Sequence, residues 1–346
     1  MKKFLFILIS LLIGIGFALI SLELFLRLNP KFGYIHHSLK LLTKSEAPMV
    51  THANIRPSTL LDYEHIPNYN PGVFSHGYNP RLNSYGLIGE EYKLEKDKGI
   101  YRILFLGDSI AAQSWSGEFL EDELNNLKLH LRYKFEIWNA AVAGYDVRRY
   151  YIYLKHKGLN YNPDMVLIFF CMDDFGANMN ICYKIKDKIT AYYFPLTEIS
   201  KRYTVNPFLI RHSYLYRFVI LRVNSYLLSK KKIQGIDPDE ENGRYYLQMI
   251  KEICENNKIP LFVVIFPYLK PLDEYKDYQI YQYKTICKVI KDLRIKHLNL
   301  YEHLPKESLY SLRVNKGDEI HPSREGHRLI AKIIYDYMLD NFFKDK

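Results

Sequence analysis

RILFLGDSIAA, residues 102–112, decides how the rest of the chain is read. Arg102 to Leu106 is a short apolar run rich in strand formers; it stops at Gly107-Asp108-Ser109, and small residues and then a helical pattern follow. That is a strand, a sharp turn and a helix. A serine at such a turn sits at the carboxyl end of a strand, with its Oγ exposed and its own N–H near a helix N-terminus, where donors face a developing negative charge. Gly-Asp-Ser is also an ordinary turn tripeptide, so its meaning depends on what accompanies it.

The other end of the chain supplies a partner. Gly317-Asp318-Glu319-Ile320-His321-Pro322 precedes an amphipathic pattern from Ser323 to about Phe343. A carboxylate three residues before an imidazole in a loop can accept from Nδ1–H, which fixes the tautomer and leaves Nε2 to take a proton from a serine hydroxyl. Ser109, Asp318 and His321 together make a candidate catalytic site.

Between these ends the pattern alternates. Strands are expected at Arg102–Leu106, near Phe135–Asn139, at Met165–Cys171, at Leu261–Phe266 and near His297–Tyr301. Helices are expected near Gly117–Leu131, Val147–Leu159, Asp239–Asn256 and Tyr278–Arg294. Apolar strands separated by helical patterns form a parallel sheet covered on both faces. The order predicts a three-layer α/β/α flavodoxin-like sandwich with a five-stranded parallel sheet and active residues at the strands' carboxyl ends. Phe175 to Pro238 interrupts this rhythm with mixed aromatic and basic residues and is long for a connection. It reads as a lid or substrate wall, or as a surface insertion.

These blocks resemble the SGNH, or GDSL-type, hydrolase family. Its first block is Gly-Asp-Ser with the nucleophile, and its last is Asp-x-x-His-Pro with orienter and base; Ser109, Asp318 and His321 match them. The resemblance implies that Gly144, in NAAVAGYDV, donates a backbone N–H to an oxyanion hole shared with the Ser109 N–H. The family's third block reads Gly-x-Asn-Asp, where this chain has Cys171-Met172-Asp173-Asp174, so Asp173 stands at the oxyanion-hole asparagine. An ionised aspartate only accepts hydrogen bonds and repels the developing charge. Three resolutions stay open: Asp173 is protonated in a poorly solvated site, it turns away, or the site binds without turnover. The resemblance implies a serine hydrolase acting on an ester without a cofactor; an O-acyl (acetyl) group on an envelope carbohydrate is the expected substrate by analogy, with a lipid or other small ester as the alternative. A polysaccharide O-acyltransferase using the same triad and a catalytically weak glycan-binding or assembly protein are the alternatives.

Upstream, Phe4 to Leu22 is free of charge and long enough to span a bilayer. No small-residue cleavage site follows, which favours a retained single-pass signal anchor over residues 1–27 rather than a cleaved signal peptide. Flanking charges are nearly balanced, with Lys2 and Lys3 before the span and Arg27 and Lys31 after it. The catalytic domain is placed extracytoplasmically, because the short N-terminus needs no translocation and the family's tethered members commonly work on envelope polymers. Residues 28–99 read as a linker and strand-rich lead-in, and 100–346 as the hydrolase domain. Asn83-Ser84-Tyr85-Gly86 resembles a segment of membrane-linked relatives and is assigned no chemistry.

The formal net charge of +10 comes without a nucleic-acid-binding pattern; the dense run Lys230-Lys231-Lys232 reads as a loop, and no nucleic-acid partner is expected. The 4 Cys, without a Cys-x-x-Cys pair, read as buried small hydrophobes; an extracytoplasmic location permits disulfides, but the spacing identifies no pair, and the 12 His include no His-Glu-x-x-His to support a metal site. Its 31 Tyr and 19 Phe suit an aromatic core, with sugar stacking as the functional alternative.

Overall fold

Five apolar runs become the strands of one parallel sheet: β1 Ile100–Gly107, β2 Lys134–Asn139, β3 Met165–Cys171, β4 Leu261–Phe266 and β5 Lys296–Asn299. They lie in the order β2-β1-β3-β4-β5, and every adjacent pair is parallel. This is the flavodoxin-like order, which reverses direction between β1 and β3 and opens a crevice at their carboxyl ends. The computed structural model describes residues 2–29, 50–52, 54–58, 60–69, 81–113, 115–126, 133–175, 179–185, 188–194, 206–233 and 238–344.

β3 is buried at every residue and β1 from Tyr101 onward, as a sheet covered on both faces requires. Ile103, Phe105, Leu167 and Phe169 join Ile330 and Ile334 of the closing helix Arg324–Met338 in one core. On the opposite face Phe170 meets Tyr150 of helix Val147–His156. The helix expected near Gly117–Leu131 is described as Trp115–Asn126, and its expected end lies outside the described residues. The strand expected to reach Tyr301 stops at Asn299, because Leu300–His303 turns into a short helix.

The stretch before β1 contributes a hairpin, Ile55–Ser58 against Asp62–His65, with Ile55, Leu61 and Tyr63 buried. Asn83 holds a turn: its side-chain oxygen accepts from the Tyr85 and Leu87 N–H groups, both at 3.0 Å. Gly86 takes φ +75° there.

Residues up to Thr51 and Met179–Pro238 form a separate compact unit. It holds the hairpin Met179–Ile185 and Lys188–Phe194, the strand Val50–His52 beside it, and helices Pro207–His212 and Tyr214–Ile233. The Lys230–Lys232 run, expected as a loop, is instead the end of that last helix. Cations are favoured at a helix C-terminus, and the leucine-rich stretch before it carries the helix on. Helix Lys2–Leu28 is long and apolar enough to cross a membrane. Near its end, Glu23 accepts from the Tyr214 and Leu215 N–H groups at 3.0 and 2.8 Å and from the Ser213 hydroxyl at 3.0 Å. Cys171, Cys254 and Cys287 are free thiols, and the Cys182 side chain and His36-His37 lie outside the described residues.

Arg102, near the start of β1, is only 1% exposed. Its guanidinium donates to the Leu94, Tyr161 and Lys93 carbonyls at 3.0, 2.6 and 2.9 Å and to Glu136 at 3.1 Å, and it lies over the Trp138 ring at 4.2 Å. It thereby joins the lead-in to the sheet. Arg102→Lys keeps the charge but loses the fork, leaving carbonyls unbonded, and should lower stability by about 2 kcal/mol. Urea unfolding followed by tryptophan fluorescence reads this directly; an unchanged midpoint would show that the fork is dispensable.

Candidate active site

Ser109 follows β1 in a turn fixed by its neighbours. Asp108 Oδ1 accepts the Ile110 N–H at 2.9 Å, and the Asp108 carbonyl accepts the Ala112 N–H at 2.9 Å. A Cβ on Gly107 would collide with the Ala111 Cβ and lie 3.2 Å from the Phe169 carbonyl oxygen, so the turn closes only over a glycine.

Ser109 Oγ lies 2.9 Å from His321 Nε2, and His321 Nδ1 lies 2.9 Å from Asp318 Oδ2. The Asp-x-x-His spacing works because the two carboxylate oxygens divide their tasks. Asp318 Oδ1 accepts the Ile320 and His321 N–H groups at 2.9 and 2.8 Å, which shapes the loop and leaves Oδ2 for the imidazole. The segment after β4 braces this loop: the Leu269 N–H donates to the Glu319 carbonyl at 2.8 Å, and Lys270 pairs with the Glu319 carboxylate at 2.7 Å.

The electrostatics follow from these contacts. Burial opposes ionisation of Asp318, but the hydrogen bonds from His321 and Ile320 hold its carboxyl well below the ordinary range. Burial likewise pulls His321 down, yet Asp318, with the nearby Asp108 and Asp173, outweighs it and leaves the imidazole raised. Burial pushes Asp108 up to about 6, and the charge of Asp173 adds to the effect. Asp108 Oδ2 also stands 3.2 Å from Ser109 Oγ, a second and longer acceptor for the hydroxyl.

Gly144 lies beyond β2 with φ +76°. Its segment is tied to the serine turn, since the Val142 N–H donates to the Gly107 carbonyl at 3.2 Å. Asn139 links the two again: its amide donates to the Ala111 carbonyl at 2.9 Å, and its side-chain oxygen accepts the Ala141 N–H at 3.0 Å. Asp173, just beyond β3, is exposed, whereas the poorly solvated carboxyls here are Asp108 and Asp174, the latter accepting the Tyr150 phenol and the Cys171 N–H, both at 2.8 Å. Ligand atoms of Asp108, Cys171 and Asp173 all lie within 4.8 Å of one another. Burial keeps the Cys171 thiol protonated, with Asp173 accepting its hydrogen bond, which suits a donor better than a metal-binding thiolate.

Ser109, Asp318 and His321 thus meet in one hydrogen-bonded chain, with the Gly144 segment bonded to the turn and Asp173 facing Asp108. Asp108 and Asn139 are additional residues holding this geometry; their sequence signal was a turn aspartate and a strand-end asparagine, both common for purely local reasons. Beneath the turn lies His327, its imidazole 2.8 Å from Ser116 Oγ and 2.6 Å from Gln113 Oε1. Burial, and then His321, push it down to about 3, so it is a neutral structural histidine.

A family model described as GDSL-like Lipase/Acylhydrolase matches residues 103–334. Among solved structures, a lipase/acylhydrolase from Enterococcus faecalis is 17% identical with a TM-score of 0.41, covering 69% of this chain and 95% of that one. An acetylxylan esterase from Geobacillus stearothermophilus, Axe2, is 12% identical with a TM-score of 0.42, covering 71% of this chain and 95% of that one. Comparison with curated protein sequences gives no match.

Proposed function

The chain belongs to the GDSL-like lipase/acylhydrolase family and is a hydrolase acting on esters, and from that premise we propose that Ser109, His321 and Asp318 carry the reaction as nucleophile, base and orienter. The observation that carries this reading is the continuous chain of 2.9 Å contacts from Ser109 Oγ through His321 to Asp318. His321 Nε2 takes the hydroxyl proton as Oγ adds to the acyl carbonyl, and Asp318 holds the resulting imidazolium. The backbone N–H groups of Ser109 and Gly144 receive the oxyanion. His321 then returns its proton to the leaving alcohol, and a water activated by the same imidazole splits the acyl-enzyme to release the acid.

The proposed substrate is an O-acyl, chiefly acetyl, group on a carbohydrate outside the cytoplasmic membrane. The carbohydrate ester follows from the family resemblance, and its location outside the membrane from the N-terminal helix. In this reading the N-terminal helix, long and apolar enough to cross a membrane, serves as the tether. Acyl transfer to a sugar hydroxyl would use the same acyl-enzyme, so the acceptor separates the two outcomes: free acid for hydrolysis, a new sugar ester for transfer.

The reading fixes a pH dependence. His321 acts only when neutral, and its pKa is raised above the ordinary histidine value of about 6.5. Activity should therefore fall as pH drops through a limb centred above that value, not below it. A profile of kcat/KM for 4-nitrophenyl acetate against pH, with the full-length chain in detergent, tests this. A rate flat from about pH 5 to 9 would exclude His321 as the base.

A further inference from the structure

The peptide joining Ala143 to Gly144 has its two polar ends committed to different partners. Its carbonyl, on Ala143, accepts the Tyr63 phenol at 2.7 Å. Its N–H, on Gly144, has no acceptor among the described residues and is the group the proposed mechanism turns towards the oxyanion. In a trans peptide the C=O and N–H point in opposite directions, and the chain contains no cis bond among the described residues. Whatever fixes the carbonyl therefore fixes the aim of the N–H. The need for a lock is plain from the backbone: Gly144 sits at φ +76°, and a glycine without a Cβ has low-energy conformations on either side, so this peptide can rotate in ways that a substituted residue would forbid.

We infer that Tyr63, on the lead-in hairpin, is a positioning residue that locks the Ala143–Gly144 peptide with its N–H aimed into the oxyanion hole. This rests on the reading of Gly144 given above. The hairpin is held firmly enough for the task. Tyr145 returns a hydrogen bond from its own phenol to the Tyr63 carbonyl at 2.6 Å, and the two rings meet edge to face at 5.4 Å. Arg149 is fully buried and pairs with Asp62, beside Tyr63, at 2.5 Å and with Asp146, two residues past Gly144, at 2.7 Å. Asp146 in turn caps helix Val147–His156 by accepting the Arg149 N–H. The hairpin and the oxyanion segment are thus clamped together at the residues that directly follow the 143–144 peptide. A hydrogen bond to the carbonyl also polarises the peptide and makes its N–H a stronger donor. The lead-in, which offers no reacting group of its own, gains a role in the chemistry through this contact.

The test compares two conservative variants of the full-length chain in detergent, using 4-nitrophenyl acetate. Tyr63→Phe removes only the hydroxyl that holds the carbonyl. Tyr145→Phe removes an equally buried hydroxyl of the same clamp, one that does not touch the 143–144 peptide. Tyr63→Phe is expected to lower kcat about 10- to 30-fold with KM within about twofold, a fraction of the loss that follows removal of an oxyanion donor. Tyr145→Phe is expected to retain kcat within about threefold while lowering the melting temperature by a similar amount. Equal losses of kcat in both variants would reduce Tyr63 to a structural role and overturn the inference, as would wild-type kcat in Tyr63→Phe. Ser109→Ala, run alongside, separates the two levels: an inactive Ser109→Ala with a fully active Tyr63→Phe overturns the lock alone, whereas an active Ser109→Ala overturns the mechanism on which it rests.

Discussion

Ser109→Ala is expected to lower kcat for a chromogenic acetyl ester by about a million-fold and to abolish labelling by a fluorophosphonate probe. The reason lies in what the hydroxyl does in the proposed mechanism: its oxygen is the atom that bonds to the acyl carbon, and it is the one hydroxyl within hydrogen-bond distance of His321 Nε2 among the described residues, at 2.9 Å. The fold should not change, because the turn is held by Asp108 through the Ile110 N–H and by the Asp108 carbonyl through the Ala112 N–H, neither of which uses the serine side chain. Loss of both turnover and labelling at an unaltered melting temperature is the expected result. Turnover equal to wild type would refute the assignment of Ser109. Failure of the folded wild type to label would favour a chain that holds a glycan without cleaving it.

The fold is legible where local pattern and tertiary demand coincide. Met165–Cys171 and Leu261–Phe266 read as strands because parallel strands buried on both faces are nearly continuous apolar runs, and the structure has strands over those same residues. The 317–322 loop is legible for a related reason, since the contact of Asp318 with His321 lies within a few residues and leaves a spacing. Contacts made across the chain leave none. Nothing in the sequence joins Tyr63 to Ala143, separated by 80 residues, or shows that Arg102 is a buried hub rather than an exposed strand-end charge. Asp108 is a turn residue by sequence, and only the packing of the turn against β3 removes its carboxylate from water. The Lys230–Lys232 run misled for the opposite reason: a cluster of like charges suggests a loop, but at the end of a helix the backbone dipole favours it.

Asp173→Asn is expected to raise kcat about 100-fold at neutral pH. A carboxylate at the position the family resemblance assigns to an asparagine can only accept hydrogen bonds, and it adds a charge of the same sign as the oxyanion. An amide restores a donor, and one such donor is worth about 2.7 to 4 kcal/mol in the transition state, or about 100- to 1,000-fold. The neighbouring thiol fits the change, since Cys171, which now donates to Asp173, can donate to the asparagine oxygen and leave the NH2 group towards the reacting centre. The substitution also acts at a distance. The charge of Asp173 helps to raise both Asp108 and His321, so removing it should lower both and move the acid limb of the activity profile to lower pH. Because the side chain is exposed, the cost in stability should be small. A gain in kcat with the limb displaced to lower pH is the result that supports Asp173 as a brake on this site. A loss of activity would mean that the carboxylate itself takes part, and that the Asp108–Asp173 pair, rather than an amide donor, is what this chain uses beside Ser109.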